Sequence, residues 1–100
     1  MVKLGLYVRL EAKAGKENEL QTFLQSALPL AEKEQGMPVW FALRFSPNSF
    51  GIFDAFPAES GRQAHLEGPI AAALMAKAND LLSTPPIIEK VDILASKVQA

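Results

Sequence analysis

Apolar and polar residues alternate along the first stretch of the chain. Within residues 3–12 the even positions are apolar: Leu4, Leu6, Val8 and Leu10. The odd positions between them include Tyr7, Arg9 and Glu11. A period of two residues is typical of a β-strand with one apolar face. The pattern therefore predicts that the chain opens with a strand.

After Gly15 the apolar period changes to that of an amphipathic helix. Apolar residues recur three and four positions apart: Leu20, Phe23, Leu24, Ala27, Leu28 and Ala31. Gly36 and Pro38 follow, in the order typical of a helix end. Pro29 lies inside this segment, where a proline removes one helical hydrogen bond, but it falls opposite the apolar stripe. We therefore predict one curved helix rather than two.

Two apolar segments in the middle of the chain predict a β-hairpin. Val39–Ser46 and Phe50–Phe56 are rich in aromatic and β-branched residues. The turn residues Pro47, Asn48 and Ser49 separate them, and so short a connection joins antiparallel neighbours.

The last third of the chain predicts two further helical segments and a final strand. Ala58–Leu66 indicates a short polar helix. From Pro69, a second amphipathic helix is predicted by apolar residues at helical spacing: Ile70, Leu74, Ala78 and Leu81. The pair Pro85-Pro86 ends it, and Ile87–Val98 is predicted as the last strand.

The predicted order of elements is β-α-β-β-α-β, within one domain that spans residues 1–100. This order is typical of an α+β, ferredoxin-like fold with an antiparallel sheet and helices on one face. The other face of such a sheet stays uncovered in a single copy. We therefore expect a homodimer in which the two sheets face each other.

Charge and composition argue against several classes of function. Ten basic and eleven acidic side chains give a net charge of −1, so we expect no nucleic acid as a partner. One histidine and no cysteine make a metal site unexpected, and six scattered glycines form no phosphate-binding loop. No stretch approaches the roughly 20 apolar residues of a membrane span, and the N-terminus does not resemble a signal peptide. We therefore expect a cytoplasmic protein without a membrane partner.

His65 is the first candidate for a functional residue, because an unperturbed histidine titrates near neutral pH. Its near neighbours in the sequence, Arg62, Gln63 and Glu67, are polar. A surface or packing role is the alternative to a functional one. From these neighbours we expect replacement of His65 by alanine to change stability little.

Aromatic and charged side chains on the strands are the second set of candidates. Neighbouring strand residues face opposite sides, so either Trp40 or Phe41 lies on the uncovered face or fills a cavity under the helices. Arg44 shares a face with Trp40, and Tyr7 lies near an arginine on the first strand. Aromatic residues are more often core than pocket, and strand arginines are more often solvated. For Asp54, an arginine across the sheet is the expected partner.

The segment Phe53–Ile70, FDAFPAESGRQAHLEGPI, resembles the antibiotic biosynthesis monooxygenase family. The opening strand and Lys13–Leu20, KAGKENEL, extend the similarity over nearly the whole chain. The resemblance implies a dimeric α/β barrel. It also implies a range of activities, because characterised members oxygenate polycyclic phenols without a cofactor, degrade haem or process small signalling molecules.

Residue by residue, the resemblance favours the first of these activities. The histidine that follows the third strand matches His65. The haem-degrading branch often has a tryptophan where this chain has Phe56, and an asparagine where it has Leu6-Tyr7-Val8. Haem degradation is therefore not expected, and the implied reaction needs neither a cofactor nor a metal.

Two main hypotheses for function follow. The first is a cofactor-independent monooxygenase that acts on a small aromatic or quinol-type substrate. In it His65 is the catalytic base, Trp40, Tyr7 and Phe53 line the substrate cavity, and Arg44 stabilises a developing anion. The second is a non-catalytic dimeric module that binds a small hydrophobic or aromatic ligand. A domain that only dimerises remains a third possibility.

Overall fold

The structure is a computed structural model that describes residues 1–99. Its elements follow one another along the chain as β1 (Leu4–Glu11), α1 (Glu17–Ser26), α2 (Leu28–Glu32), β2 (Val39–Ser46), β3 (Ser49–Phe56), α3 (Glu59–Leu66), α4 (Pro69–Leu81) and β4 (Ile87–Asp92). The strands form one antiparallel sheet in the order β2-β3-β1-β4. This confirms the predicted α+β class and the ferredoxin-like order of elements.

Alternation along the strands gives the sheet two different faces. The register pairs Leu6 with Asp54 and Val8 with Ile52, so these side chains lie on the same side. We call this side the covered face, because helices bury its apolar residues: Leu6, Val8, Leu10, Phe50, Ile52 and Phe56. The opposite side, the open face, holds Tyr7, Arg9, Phe41, Phe45, Phe53 and Ile87.

The open face carries large apolar side chains that no helix covers. Phe41 and Ile87 are each 56% exposed, and Phe45 is 47% exposed. A core residue of this size is normally shielded from water, so the burial pattern agrees with helices on one side of the sheet only. The face that a second copy would cover is thus present in the single chain.

The first helical segment is two helices, so the prediction of one curved helix is wrong. α1 ends at Ser26, Ala27 separates it from α2, and Pro29 lies in the first turn of α2. Proline has no N–H to donate to the carbonyl of Gln25, which favours starting a new helix there over continuing the old one. α4 has 13 residues, and among residues 1–99 no helix has the length and apolar character to cross a membrane.

The last strand is shorter than predicted, since β4 ends at Asp92 and not at Val98. β4 is an edge strand that pairs only with β1, and Asp92 is the partner of Leu4, the first residue of β1. One more hydrogen bond follows, from the Ile93 amide to the Lys3 carbonyl at 2.8 Å. Beyond it β1 has no residues left to pair, so residues 93–99 lack a strand partner in this chain.

Candidate active site around His65

His65 lies in the last turn of α3 and points into the protein, with 6% of its surface exposed. Its ring packs against Phe56 of β3, with 5.8 Å between the ring centroids. The expectation that replacement of His65 changes stability little does not fit this burial, because loss of the ring would leave the buried Asp54 without its partner. Its sequence neighbours Arg62, Gln63 and Glu67 do not predict its surroundings, because the imidazole faces the sheet.

Two carboxylates from distant parts of the chain flank the imidazole. The Nδ1 atom of His65 lies 2.9 Å from both carboxylate oxygens of Glu34, in the loop after α2. The Nε2 atom lies 3.1 Å from Oδ2 of Asp54, in β3. Asp54 is 1% exposed, so this is a buried charged group held beside a titratable ring. The expectation that Asp54 pairs with an arginine was wrong, since its ionic partner is His65.

These contacts raise the pKa of His65 above its ordinary value of 6.5. Burial alone lowers the pKa, because it disfavours the charged imidazolium. The negative charges of Asp54 and Glu34, each in contact with one ring nitrogen, act in the other direction and outweigh burial. The site therefore favours the imidazolium form, which can donate from both nitrogens.

Asp54 nevertheless keeps hydrogen-bonding capacity. Neither of its buried oxygens has an aligned hydrogen-bond donor within the protein, because the contact with Nε2 is close but poorly directed. The indole Nε1 of Trp40 is likewise buried without an acceptor. Trp40 lies directly opposite Asp54 in the β2–β3 register, on the same face. Buried polar groups are nearly always paired, so unpaired ones next to each other indicate a place for a polar ligand or water.

A small cavity reaches both His65 and Asp54. It measures about 30 Å³, and apolar side chains of the sheet and of α4 form most of its wall, including Leu6, Ile52, Ile70 and Leu74. This volume suits about one water molecule. Drug-sized ligands occupy pockets of roughly 300–1,000 Å³, so an aromatic molecule enters only if the cavity widens.

Two of the predicted site residues lie on the other side of the sheet. Tyr7 and Phe53 are cross-strand partners on the open face. The Tyr7 hydroxyl accepts a hydrogen bond from Arg9 at 3.3 Å, and the Tyr7 ring packs edge-on against Phe45. The sheet thus separates them from the imidazole of His65.

Arg44 shares the covered face with Trp40 but lies far from His65. It pairs with Phe50, four residues along β3 from Asp54, which is about 13 Å at the rise of a strand. Its guanidinium donates to the Gln21 side chain at 2.7 Å and to the Pro47 carbonyl at 2.9 Å. Of the predicted binding residues, only Trp40 lies beside the site, as the cross-strand partner of Asp54 on the covered face.

The two carboxylates are the residues that the sequence reasoning missed as parts of the site. The sequence does indicate the position of Asp54: it falls in the alternation of Phe50, Ile52 and Phe56, which places a charged residue on the covered face. No sequence pattern indicates that Glu34 contacts His65, because it lies 31 residues away in a loop. Within residues 1–99 no group of three or more carboxylate and histidine side chains is arranged to hold a metal ion.

Comparison with solved structures shows a relative of high identity. The NE2512 protein of Nitrosomonas europaea, a protein of unknown function with a crystal structure, is 64% identical over all of this chain and 97% of that chain, with a TM-score of 0.97. The chain therefore belongs to the same family as NE2512. No protein-family model matches the chain, and no curated protein matches it.

Proteins described as antibiotic biosynthesis monooxygenases share the fold. A proposed monooxygenase of this type from Nitrosomonas europaea is 16% identical, with a TM-score of 0.82 over 92% of this chain and 99% of that chain. Another, from Caulobacter crescentus CB15, is also 16% identical, with a TM-score of 0.80 over 94% and 92% of the two chains. The resemblance found in the sequence is confirmed at the level of the fold.

Proposed function

We propose that the protein is a cofactor-independent monooxygenase that acts on a small aromatic or quinol-type substrate. The observation that carries the proposal is the site at His65. A buried imidazole lies between two carboxylates, and one of them, Asp54, faces a mostly apolar cavity with unused acceptor capacity. Perturbed titratable groups in a cleft are typical of functional sites. The shared fold is consistent with this chemistry.

The role that we propose for His65 differs from the catalytic base expected from the sequence. Because the flanking carboxylates favour the imidazolium, His65 supplies a positive charge and hydrogen-bond donors rather than a base. Asp54 is then the group that accepts the proton of a substrate hydroxyl. The resulting phenolate is electron-rich and lies beside the imidazolium, which stabilises its negative charge.

The overall reaction balances without a cofactor. A phenol and one O₂ yield a quinone and one H₂O. One oxygen atom enters the ring as the new carbonyl, and the other leaves as water with the two hydrogens that the substrate loses. The substrate supplies all four electrons that O₂ accepts, so the protein has only to bind, orient and deprotonate it.

An aromatic substrate requires the cavity to widen. The wall on the helix side is the junction of α3 and α4, where Leu66, Ile70 and Ala71 line the cavity on either side of Gly68-Pro69. Helix ends and short connections are where substrate-induced opening is commonly located. We infer that the substrate enters by displacing the first turn of α4.

Oxygen uptake tests the proposal most simply. The wild-type protein is expected to consume oxygen with at least one member of a panel of hydroquinones and polycyclic phenols. Asp54→Asn keeps the shape of the side chain and removes the acceptor for the proton, so turnover should fall by about 10²–10⁴-fold. Asp92→Asn, at an exposed position of β4, is the matched control and should retain wild-type turnover. No uptake by the wild type with any member of the panel, or equal turnover of the two variants, contradicts the proposal.

We further propose that the protein works as a homodimer through the open face. The exposed apolar side chains of that face lie on the two edge strands of the sheet, Phe41 and Phe45 on β2 and Ile87 on β4. They form the surface that a second sheet would bury. A C2 dimer brings identical faces together. Sedimentation at micromolar concentration should show a dimer, and Phe41→Glu should shift it toward the monomer. A monodisperse wild-type monomer would overturn the proposal.

The size of the cavity favours one alternative, a non-catalytic module. A cavity of about 30 Å³ with both ring nitrogens already engaged resembles a buried structural ion pair more than an open active site. In such a module a small hydrophobic ligand also enters only when the cavity widens, and it then stabilises the native state without turnover. A thermal-shift screen with the same phenols detects such binding, and binding without oxygen uptake favours this alternative.

A further inference from the structure

The loop that carries Glu34 is in backbone contact with α3. A methyl group on Gly61 would lie 2.5 Å from the Gly36 carbonyl oxygen, and one on Gly36 would lie 3.1 Å from the Gly61 Cα. Only glycine allows two backbones to approach so closely. The loop after α2 is therefore held against α3 at a fixed place.

The same face of α3 presents His65 to this loop. Gly61 and His65 are four residues apart, which places them one above the other on one side of the helix. The loop follows that side, with Gly36 against Gly61 and Glu34 against His65. The Glu34 side chain is 18% exposed, and both of its carboxylate oxygens lie 2.9 Å from Nδ1 of His65.

We propose that Glu34 is a positioning residue for the reaction proposed at His65, held there by the contact between Gly36 and Gly61. Glu34 accepts the hydrogen bond that Nδ1–H donates, which fixes the plane of the ring. Nε2 is thereby directed toward Asp54 and the cavity. Glu34 does not line the cavity, so it acts on a substrate only through His65. The effect of Glu34 on catalysis rests on the proposed function, whereas its effect on the orientation of the His65 ring does not.

The charged groups around His65 come from two elements besides its own helix. Glu34 faces it from the loop after α2, and Asp54 faces it from β3. On α3 itself, Arg62 turns away, with its guanidinium bound to Glu59 and to the Gly5 carbonyl at 3.2 Å. The residues that α4 contributes to the cavity are apolar. A change at Glu34 therefore removes one of the two negative charges that flank the ring.

The chain's single histidine makes the placement directly measurable. In ¹⁵N-labelled protein only one imidazole contributes signals, so its titration and the exchange of its Nδ1 proton can be followed without substrate. Glu34→Gln keeps an acceptor for Nδ1–H but loses the charge. In the wild type we expect the Nδ1 proton to exchange slowly, because it is buried and bound to Glu34. Glu34→Gln should lower the pKa of His65 and keep this slow exchange. Glu34→Ala should lower the pKa and also lose the slow exchange.

Glu32→Gln is the matched control, because Glu32 is exposed at the end of α2 two residues away. It should leave the His65 titration as in the wild type. A wild-type titration and wild-type Nδ1 exchange in both Glu34 variants would overturn the proposal. If Glu34→Ala does not fold, the pKa of His65 in Glu34→Gln alone tests the proposal, and a wild-type value would overturn it.

Turnover separates this inference from the proposed function. With an active wild type, Glu34→Ala should lower kcat by about 100-fold, the scale of a misplaced catalytic group, and change KM little. Glu34→Gln should recover part of this loss. Turnover of Glu34→Ala equal to that of the wild type contradicts a positioning role. If the wild type has no activity at all, the proposed function fails, while the titration still tests the placement of His65 by Glu34.

Discussion

The two faces of the sheet use charged residues in opposite ways. On the covered face His65, Asp54 and Glu34 form a closed ionic group beneath the helices. On the open face Arg9 donates to the Ser49 hydroxyl at 3.2 Å and stacks on Phe45, with side-chain exposure of 39%. Each group includes one residue of β3, Asp54 on the covered face and Ser49 on the open face.

The difference in burial decides what each group can do. Charges at the open face of a single chain are screened by water, and such pairs contribute little to stability. Charges under the helices interact in a medium of lower dielectric, so each one strongly affects the protonation and the position of the next. Chemistry is therefore expected on the covered face, and association with a second copy on the open one.

The strongest test of this comparison is the removal of one group from each face. His65→Ala leaves Asp54 buried without its counter-charge, so the free energy of unfolding should fall by about 3–5 kcal/mol. Tyr7→Phe removes one hydrogen bond on the open face and should cost about 1 kcal/mol. Urea unfolding of both variants at one protein concentration measures the difference. Equal costs for the two variants would show that the faces do not differ as described.

A second variant tests how tightly the loop is fitted to α3. In an exposed helix a change from glycine to alanine stabilises by about 1 kcal/mol. At Gly61 the added methyl group meets the Gly36 carbonyl, so Gly61→Ala should instead destabilise by about 1–3 kcal/mol. Ser60→Ala, at an exposed position of the same helix, is the control and should change stability little. Stabilisation by Gly61→Ala would mean that the loop can move away from α3.

The pH dependence of stability is a smaller effect with a definite sign. His65 has a pKa above 6.5 in the folded protein, so the folded state binds more protons than the unfolded state between the two pKa values. Its contribution is complete below about pH 6.5 and is lost as the pH rises through the folded-state pKa. Urea midpoints should therefore fall over this range in the wild type and fall less in Asp54→Asn. A midpoint that rises over the same range would contradict the direction of the shift.

Much of the fold was predictable because its signals are local. The alternation in β1, the helical period before Ala31 and the proline-containing turn after Ser46 each indicate an element without knowledge of the rest. The end of β4 was not predictable in this way. It depends on where β1 begins, which is a property of the pairing and not of residues 93–98.

The site was predictable only in part, for the same reason. His65 was found because it is the single histidine, and Trp40 because it lies next to Phe41 on a strand, where neighbouring side chains face opposite sides. Glu34 lies beside His65 because Gly36 and Gly61 bring the two backbones together, and no local sequence pattern predicts that contact. Tyr7, Phe53 and Arg44 have suitable chemistry, but strand alternation and register place them elsewhere.

Asp54 and Glu34 together outweigh the burial of His65 and raise its pKa, and an NMR titration measures this balance. The imidazole signals of ¹⁵N-labelled wild-type protein are followed by NMR from pH 5 to 9. We expect a single titrating imidazole whose pKa lies above 6.5, the ordinary value for histidine. A pKa at or below 6.5 would mean that burial outweighs the two carboxylates, and His65 would then not be the positively charged donor proposed here.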